Sequence, residues 1–482
     1  MSYNLSEAEF DSALEKSGRT VLFKKIPADV ITPVLASLKI FQHFPEHHFL
    51  FESVEKGSHK GRFSVLGCMP DLIWRCVGEK SFRDDREENG QALDNFRNLV
   101  KESQINWDDL THGLSALPAM ASGIFGYMSY DMIRLMEKIS NHNLPDEIKI
   151  PDSIFIRPQI IVVFDSLFDC ALICAPVFSK QNYSSVLARI ETIEEILTKT
   201  HETSPIVAKH NLQFSSNCSK EEYCGMVRQA KKYITDGDIF QVLPSQRFTA
   251  KCDENFDEFS FYRSLRLVNP SPFLFYLKFD DFVLTGSSPE IMVSLKNKKV
   301  TIRPLAGTRK RGKNEVEDKK IAAELLNDEK EVAEHLMLID LGRHDVGSVA
   351  VSGSVVVTEK MTVENYSHVM HISSNVEGIL REEFDALDAL VAGFPAGTVS
   401  GAPKIRAMGI IEEIEKVRRS FYAGCVGYFA SNGDMETCIT LRSALIREGK
   451  IHLQTGAGVV FDSDPESEYQ ECLNKARVLM SV

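Results

Sequence analysis

The chain has 482 residues, with 55 Lys or Arg against 68 Asp or Glu, so its formal net charge is −13. This acidic balance argues against a nucleic-acid surface, and we expect neither a nucleic-acid nor a membrane partner. At 43% hydrophobic and 26% charged residues, the composition is that of an ordinary globular protein with room for two or three domains. An anionic substrate would need a metal ion or a local concentration of positive charge.

The ten cysteines are scattered without a C-x-x-C pair, which predicts reduced thiols and a cytoplasmic protein. The polar start MSYNLSEAEF shows no signal peptide. The most apolar stretch, residues 160–178, is interrupted by Asp165 and Asp169. It therefore predicts two buried strands joined by a turn, not a membrane span.

Three regions follow one another along the chain. Residues 1–200 mix helix and strand patterns and form a predicted N-terminal region. Residues 201–214 are the predicted linker, because HETSPIVAKHN (201–211) is polar and aperiodic. Residues 215–482 alternate helices with long strands, which predicts an α+β fold with large antiparallel sheets. No G-x-G-x-x-G follows a strand and no G-x-x-x-x-G-K-[ST] occurs, so a nucleotide-binding fold is not indicated.

Two predicted helices each carry a pair of glutamates one helical turn apart. These glutamates are Glu331, Glu334, Glu468 and Glu471. A single such pair is most often a solvated helix surface. Two pairs could instead converge on one hard cation, because carboxylates without thiolates favour Mg²⁺ over zinc. A di-iron site would require Glu-x-x-His pairs on four helices and is not indicated.

The helix starts around these pairs have predicted caps. Asp328 is predicted to cap the first helix, with Glu331 as its capping-box partner. Ser463 is predicted to cap the second helix, with Glu466 closing the capping box. The second pair of glutamates is then not needed at its helix end and is free to bind a cation.

Two further segments contain candidate polar sites. Alternation in HVMHISSNVEG (368–378) places His371 on the polar face of a strand, as a general acid or base or simply as an exposed residue. The segment FPAGTVSGAPKIRA (394–407) has a Gly/Ser-rich turn that opens a helix, with Ser400 as its predicted cap. Free N–H groups at such a start suit an anion, although an ordinary capped helix also explains it.

The segment METCITLRSALI (435–446) is predicted to be one strand, with Arg442 on its Cys438 and Thr440 face. It leads to the glycine-lined stretch 456–458, whose backbone can approach a ligand closely. An arginine beside such N–H groups would form a carboxylate clamp, although each feature alone could be purely structural.

Seven motifs between residues 215 and 480 follow one another in an order typical of a single family. They are IRPLAGTRKRG, DEKEVAEHLMLIDLGRHDVG, VMHISSNVEG, FPAGTVSGAPKIRA, YAGCVGYF, CITLRSALI and QTGAGVVFDSDPESEYQECLNKA. On these motifs the chain resembles the chorismate-utilising enzymes, and FLFES (49–53) resembles the regulatory segment of their anthranilate synthase branch. The resemblance implies an α+β fold in which two large antiparallel sheets pack as a sandwich with helices outside. Residues 215–482 would be the catalytic region.

The same resemblance implies a Mg²⁺-dependent lyase. The implied metal ligands are Glu334 and Glu471, with support from Glu331 and Glu468. His371 would be the acid or base at the substrate ring, and Thr398 would position it or the substrate. The implied substrate-binding residues are Gly307, Thr308, Tyr422, Arg442, Gly456, Ala457, Gly458 and Lys475.

Two positions distinguish branches of the family. Isochorismate and salicylate synthases carry a lysine base where this chain has Gln241, and an amide cannot deprotonate water at neutral pH. Aminodeoxychorismate synthases carry a lysine where this chain has Ala306. The resemblance therefore favours anthranilate synthase with ammonia as the nucleophile, and aminodeoxychorismate synthase is the alternative. A non-catalytic, effector-binding relative would be expected to lack some of the four glutamates or His371, and all five are present.

Partners and regulation are also implied by the resemblance. The chain has no G-x-C-x-G-x-Q glutaminase motif, so ammonia would come from a separate glutamine amidotransferase subunit, in a heterotetramer with two of each subunit. Tryptophan would act as a feedback inhibitor. The implied effector residues are Ser53, Pro272, Phe273 and Leu274. Phe273 and Leu274 could instead be ordinary core residues. His344 and Glu436 depart from the residues usual in the family.

Overall fold

The structure is a computed structural model that describes residues 3–53, 61–105, 117–139, 142–200, 212–366 and 369–482. The segment 201–211 of the predicted linker lies outside these residues. The helices are α1 Glu7–Ser17, α2 Pro33–His43, α3 Ala92–Glu102, α4 Ile133–Met136, α5 Tyr183–Thr198, α6 Lys220–Thr235, α7 Glu258–Val268, α8 Glu315–Leu326, α9 Glu329–Val349, α10 Ala386–Gly393, α11 Lys404–Ile414 and α12 Pro465–Met480.

The strands are β1 Thr20–Pro27, β2 His48–Glu52, β3 Phe63–Val77, β4 Lys80–Arg83, β5 Arg86–Glu87, β6 Gly123–Met128, β7 Ser153–Asp165, β8 Cys170–Val177, β9 Ser215–Ser216, β10 Gln241–Val242, β11 Ser245–Lys251, β12 Phe273–Phe279, β13 Phe282–Ser288, β14 Ile291–Lys296, β15 Lys299–Ile302, β16 Leu305–Lys310, β17 Val356–Asn365, β18 Val369–Ile379, β19 Gly401–Ala402, β20 Cys425–Ala430, β21 Met435–Ile439, β22 Ser443–Arg447 and β23 Lys450–Gly456. The two strands predicted within 160–178 are the paired strands β7 and β8.

Two long neighbouring strands, β3 and β7, connect two sheets. They pair along most of their lengths, and the register shifts between Pro70 and Leu72. On one side of this irregularity β3 pairs with β2 and β7 pairs with β8. On the other side β3 pairs with β4 and β7 pairs with β6. A bulge bends a strand, so each long strand runs from one sheet into the other.

Every strand pairing in the two sheets is antiparallel among the residues described. The first sheet has the order β1-β8-β7-β3-β2-β12-β13-β22-β23-β11-β9. The second has the order β5-β4-β3-β7-β6-β20-β21-β14-β15-β18, and β16 and β17 also pair with β18. The predicted α+β class with large antiparallel sheets is confirmed.

The main hydrophobic core joins the two sheets. Phe49 of the first sheet stacks on Phe125 of the second, with ring centroids 4.4 Å apart, and both side chains are fully buried. A second cluster packs α1, α2, α5, α7 and α12 against the first sheet. Helices α9 and α10 lie against β14, β16 and β18 of the second sheet. The molecule is therefore a sandwich with helices outside, as the resemblance implied.

The cap of α9 is partly as predicted. The side chain of Asp328 accepts hydrogen bonds from the N–H groups of Lys330 and Glu331. Glu331 does not close a capping box, because its carboxylate pairs with Arg309 at 2.7 Å. The backbone N–H of Asp328 donates to the Leu325 carbonyl instead.

Two other predicted caps are wrong. Helix α12 is capped by Asp464, which accepts from the N–H of Ser467, so Ser463 lies just before the cap. Glu466 closes no capping box there and pairs with Lys220 on the surface. Helix α11 starts after Pro403. The Ser400 hydroxyl instead donates to the backbone carbonyl of Ala396, at the start of the preceding 3₁₀ turn. Pro465 is the first residue of α12, and Pro403 itself occupies the cap position of α11.

All ten cysteines are free thiols, and all but Cys252 are buried, as predicted from their scatter. The described part of the chain has no helix that is long and apolar enough to cross a membrane.

The stacking of Phe49 on Phe125 yields a stability prediction. Replacing Phe49 by Ala leaves a cavity between the sheets and should cost about 3–5 kcal/mol of unfolding free energy. Phe168→Ala is the control, because Phe168 is 62% exposed in the β7–β8 turn. Chemical denaturation of both variants measures the difference, and equal midpoints would contradict the inter-sheet role of Phe49.

Candidate active site

Polar residues from widely separated segments meet beside the second sheet. His371 lies on β18 opposite Thr308 of β16, where the register of β16 shifts at Gly307 and Gly307 has a φ of +65°. The His371 Nδ1 lies 3.1 Å from the Gly307 carbonyl and 3.0 Å from the Thr308 hydroxyl. A carbonyl only accepts, so Nδ1 carries the proton and Nε2 presents a lone pair. Burial, with Arg442 nearby, lowers the pKa of His371 to about 4 and keeps the ring neutral at pH 7.

Arg442 lies in a break between β21 and β22. The predicted continuous strand 435–446 is wrong at this point, because Arg442 has a left-handed φ of 47°. Its guanidinium makes no hydrogen bond or ion pair to any residue that the structure describes. Burial lowers its pKa, against the influence of Tyr366 and Glu290. An unpaired, desolvated cation is costly, so this position suits an anionic ligand.

Glu290, between β13 and β14, was not predicted from the sequence as a site residue. Its carboxylate accepts a hydrogen bond of 3.3 Å from the N–H of Leu305. Burial raises the pKa of Glu290 to about 8, although Thr398, Leu305 and Arg442 act against it. A carboxyl that holds its proton at pH 7 beside an unpaired guanidinium is a candidate proton donor. The available signal was a lone acidic residue in the turn between two strand-like segments of FVLTGSSPEIMV (282–293).

Thr398 faces this carboxyl. Its hydroxyl approaches Glu290 closely enough to lower the pKa of that carboxyl. It is buried, yet it makes no well-aligned hydrogen bond to a partner within the described ranges. The neighbouring Gly397 lets the turn pass close to α9, since a Cβ there would lie 2.0 Å from Leu341. The hydroxyl is therefore held in place with spare capacity to bond a ligand.

Gln241, on β10, is 3% exposed and donates from Nε2 to Glu334 at 3.0 Å. Its Oε1 is buried without a partner among the residues described. A Cβ at position 458 would lie 2.8 Å from the Gln241 amide nitrogen, so Gly458 makes room for this contact. Burial raises the pKa of Glu334, with further contributions from Glu331 and Glu471. Gln241 thus links the predicted metal ligands to the glycine-lined stretch.

The four predicted metal ligands are neighbours, but they are engaged by other groups. Glu331 pairs with Arg309 at 2.7 Å, and Glu471 pairs with Lys475 at 2.8 Å. Burial raises the pKa of Glu468, and the charge of Glu471 adds to the effect. As these side chains stand, no three potential ligands in the described part of the chain converge on one point.

The chemistry of these carboxylates nevertheless fits a hard cation. Glu334 and Glu468 each have a raised pKa to which a neighbouring carboxylate contributes, so a cation between the helices would relieve the repulsion. All four donors are oxygens, which Mg²⁺ prefers. Lys330 and Lys475 now supply part of the opposing charge, since each lowers the pKa of Glu468.

The glycine-lined stretch forms another side of the site. Burial raises the pKa of the Tyr422 hydroxyl, and the nearby charge of Arg419 and backbone of Gly456 act against this. Lys475 donates to the Gly456 carbonyl at 3.1 Å, and its charge lowers the pKa of His371. The N–H of Ala457 donates to the carbonyl at position 244, so this predicted clamp donor is already used inside the protein.

All four predicted effector residues line a second cavity of about 440 Å³, between the two sheets. They are Ser53, Pro272, Phe273 and Leu274. Aromatic side chains of Phe51, Phe63 and Tyr428 also line it, and charged groups include Lys296 and Glu436, which pair at 2.9 Å. The unusual Glu436 therefore belongs to this cavity and not to the catalytic residues.

The predicted effector cavity and the candidate active site share a wall. Pro289 and Ile291 line the cavity, whereas Glu290 between them carries the buried carboxyl beside Arg442. Leu305 lines the cavity with its side chain and donates its N–H to Glu290. Residues 289–291 and Leu305 thus contact both sites.

These features define a chorismate-utilising site, and the comparisons agree. The model of the family described as chorismate binding enzyme matches residues 46–481. The chain therefore belongs to the chorismate-binding enzyme family. Among its relatives, the protein from Cereibacter sphaeroides is 45% identical over 98% of this chain and 95% of its own length. The one from Aquifex aeolicus is 40% identical over 100% and 98%. Both relatives are named anthranilate synthase component 1.

Solved structures agree with this placement. Anthranilate synthase component I from Streptococcus pneumoniae superposes with a TM-score of 0.79 at 35% identity, covering 95% of this chain and 99% of that one. The menaquinone-specific isochorismate synthase from Escherichia coli superposes with a TM-score of 0.73 at 19% identity, covering 98% and 100%, and shows the shared fold.

The raised pKa of Glu290 predicts how stability depends on pH. The stability contributed by its protonated form is complete below its ordinary pKa of 4.5 and is lost as the pH rises to about 8. Glu290→Gln cannot ionise, so the wild type should lose roughly 3–5 kcal/mol relative to this variant across that window. Urea unfolding from pH 4.5 to 9 measures it, with the exposed Glu466→Gln as control. Parallel pH profiles for wild type and Glu290→Gln would contradict the buried proton.

Proposed function

We propose that this chain is the chorismate-converting subunit of an anthranilate synthase. It takes chorismate and ammonia to anthranilate and pyruvate, the first committed step of tryptophan biosynthesis. The observation that carries the proposal is the unpaired guanidinium of Arg442, whose charge lowers the pKa of both the buried Glu290 and the neutral His371. The full-length similarity to relatives named anthranilate synthase component 1 supports this choice of reaction.

Each of these three groups has a task in the proposed reaction. Arg442 binds a carboxylate of chorismate, which supplies the missing anionic partner. Glu290 gives its proton to the C4 hydroxyl, which leaves as water while ammonia attacks C2. His371 then removes the C2 proton through Nε2, the C3–O bond breaks, and the departing enolpyruvate takes up a proton to become pyruvate. Thr308 and Gly307 hold His371 in the tautomer that this requires.

The predicted Mg²⁺ belongs beside the carboxylate of Glu334. Glu334 and Glu471 would be its ligands, with Glu331 and Glu468 in support. When bound, the ion would polarise the ring carboxylate of chorismate and ease loss of the C4 hydroxyl. Metal binding would require Glu471 to leave its ion pair with Lys475. The hydrogen bond from Gln241 keeps Glu334 oriented.

Gln241 supports ammonia as the nucleophile. Its amide cannot take a proton from water at neutral pH, whereas ammonia needs no deprotonation before it attacks. The runner-up, aminodeoxychorismate synthase, would require a different group near Ala306, and identification of the product by mass separates the two. Lys475 and Tyr422 would hold the enolpyruvyl side together with the backbone of Gly456 and Gly458, since the N–H of Ala457 is already bonded.

Ammonia would come from a separate glutamine amidotransferase subunit, in an assembly of two of each chain. Tryptophan would bind the cavity beside Ser53 and Phe273, whose aromatic and charged lining suits an aromatic amino acid. The free thiols suit a reducing compartment, the cytoplasm.

The first test uses the isolated chain. With chorismate, Mg²⁺ and ammonium at alkaline pH we expect anthranilate fluorescence, because free ammonia replaces the partner. With glutamine in place of ammonium the rate should fall to background. Substantial glutamine-dependent turnover by the chain alone would refute a separate amidotransferase, and absence of anthranilate under ammonium would refute the proposed reaction.

The second test concerns the carboxylates. Glu334→Gln and Glu471→Gln should each lower turnover by more than ~100-fold and weaken Mg²⁺ binding in calorimetry, since each removes a charged ligand. Glu466→Gln is the matched control on α12, because its side chain is 73% exposed. If both ligand variants keep wild-type turnover while folded, the metal assignment fails.

The third test concerns the effector cavity. Calorimetry should detect tryptophan binding to the wild type, and tryptophan should inhibit the ammonia-dependent reaction. Ser53→Phe fills the cavity and should abolish both effects, while Glu334→Gln should still bind tryptophan. Unchanged tryptophan binding in Ser53→Phe would remove the effector assignment.

A further inference from the structure

Glu415 and Arg419, just after α11, form an ion pair whose side chains are only 3% and 1% exposed. Arg419 donates from Nη2 to Glu415 Oε1 at 2.7 Å and from Nε to Oε2 at 3.1 Å. A buried ion pair of this kind is rarely a net source of stability, because both charges lose their hydration. Its other contacts indicate what it does.

The guanidinium holds two loops of the active site. Arg419 Nη1 donates at 2.7 Å to the carbonyl of Val399, the residue after Thr398. Arg419 Nη2 donates to the carbonyl of Leu243, two residues after Gln241. A guanidinium is planar and rigid, so these two backbone carbonyls are fixed relative to each other.

The ion pair also contacts the glycine-lined side of the active site. Glu415 Oε1 accepts from both the N–H and the hydroxyl of Ser245, each at 2.8 Å. Ser245 is the direct partner of Gly456 between β11 and β23. The Arg419 guanidinium also lies 5.6 Å from the ring centre of Tyr422. The pair therefore contacts the supports of Gln241, Thr398, Gly456 and Tyr422, which come from four different segments.

We propose that the Glu415–Arg419 ion pair is a positioning element that sets Gln241 and Thr398 against the Tyr422 and Gly456 side of the active site. The inference rests on the proposed function, because these four residues matter only if they surround the substrate. Lysine could keep the charge but not the fork of donors, and glutamine at 415 could keep the Ser245 contact but not the charge.

A second ion pair, between Arg134 of α4 and Glu412 of α11, provides the matched control. Arg134 donates to both carboxylate oxygens of Glu412, at 2.9 and 2.8 Å, and their side chains are 19% and 2% exposed. Arg134 also pairs with Asp131 at 3.1 Å, and neither partner bonds to a predicted catalytic or substrate-binding residue within the described ranges. Both pairs join an arginine to a glutamate, but only Glu415–Arg419 bonds to the backbone of the active-site loops.

The test compares Arg419→Lys and Glu415→Gln with Arg134→Lys and Glu412→Gln. In Arg419→Lys and Glu415→Gln, kcat with ammonia should fall at least tenfold and the KM for ammonia should rise. In Arg134→Lys and Glu412→Gln, kcat and KM should stay within twofold of the wild type. All four variants should lose a similar amount of thermal stability. Hydrogen exchange should accelerate at 240–245 and 397–400 in the first two variants only.

Each outcome decides the proposal. Unchanged kcat, KM and exchange in folded Arg419→Lys and Glu415→Gln overturn it, as does equal loss of activity in the controls. If neither Arg419→Lys nor Glu415→Gln folds, the pair is structural and the proposal is wrong. A wild type that makes no anthranilate contradicts the proposed function instead, and hydrogen exchange alone then decides whether the pair positions these loops.

Discussion

The ladder between β3 and β7 is the constraint on which the architecture depends. Backbone hydrogen bonds continue through it from one sheet into the other, and the shift at Pro70 and Leu72 bends both strands. Because the strands are shared, the two sheets must face each other, and stacking of Phe49 on Phe125 fills the space between them. The effector cavity lies in this interior.

The active site combines groups whose charge states are set by burial. Glu290 keeps a proton that a solvated carboxyl would lose, whereas His371 lacks the proton that a solvated histidine would partly hold. The cation of Arg442, whose charge acts on both groups, has no hydrogen-bonded or ion-paired partner in the described chain. A substrate carboxylate would supply the missing charge and could leave the other two groups in the states that acid–base chemistry at the ring requires.

The shared wall would give a physical route from a ligand in the predicted effector cavity to the candidate active site. Pro289 and Ile291 contact the effector cavity, and the N–H of Leu305, another cavity residue, bonds the carboxylate of Glu290. Any ligand that shifts these residues would change the surroundings of the proton on Glu290. Glu436, which departs from the residue usual in the family, lies in the cavity and pairs with Lys296 there. The departure therefore concerns effector binding more directly than catalysis.

The sequence by itself determined the class of fold, the family and most of the candidate site, because alternating strands and seven ordered motifs are local patterns. The four predicted effector residues, at positions 53 and 272–274, line one cavity in the structure, and their effector role stays a prediction. Prediction from the sequence failed at Ser463, Ser400 and Arg442, where a cap or a strand depends on competing contacts nearby. Only the tertiary structure revealed Glu290 and the Glu415–Arg419 pair, because burial and long-range hydrogen bonds give an ordinary glutamate or arginine its role.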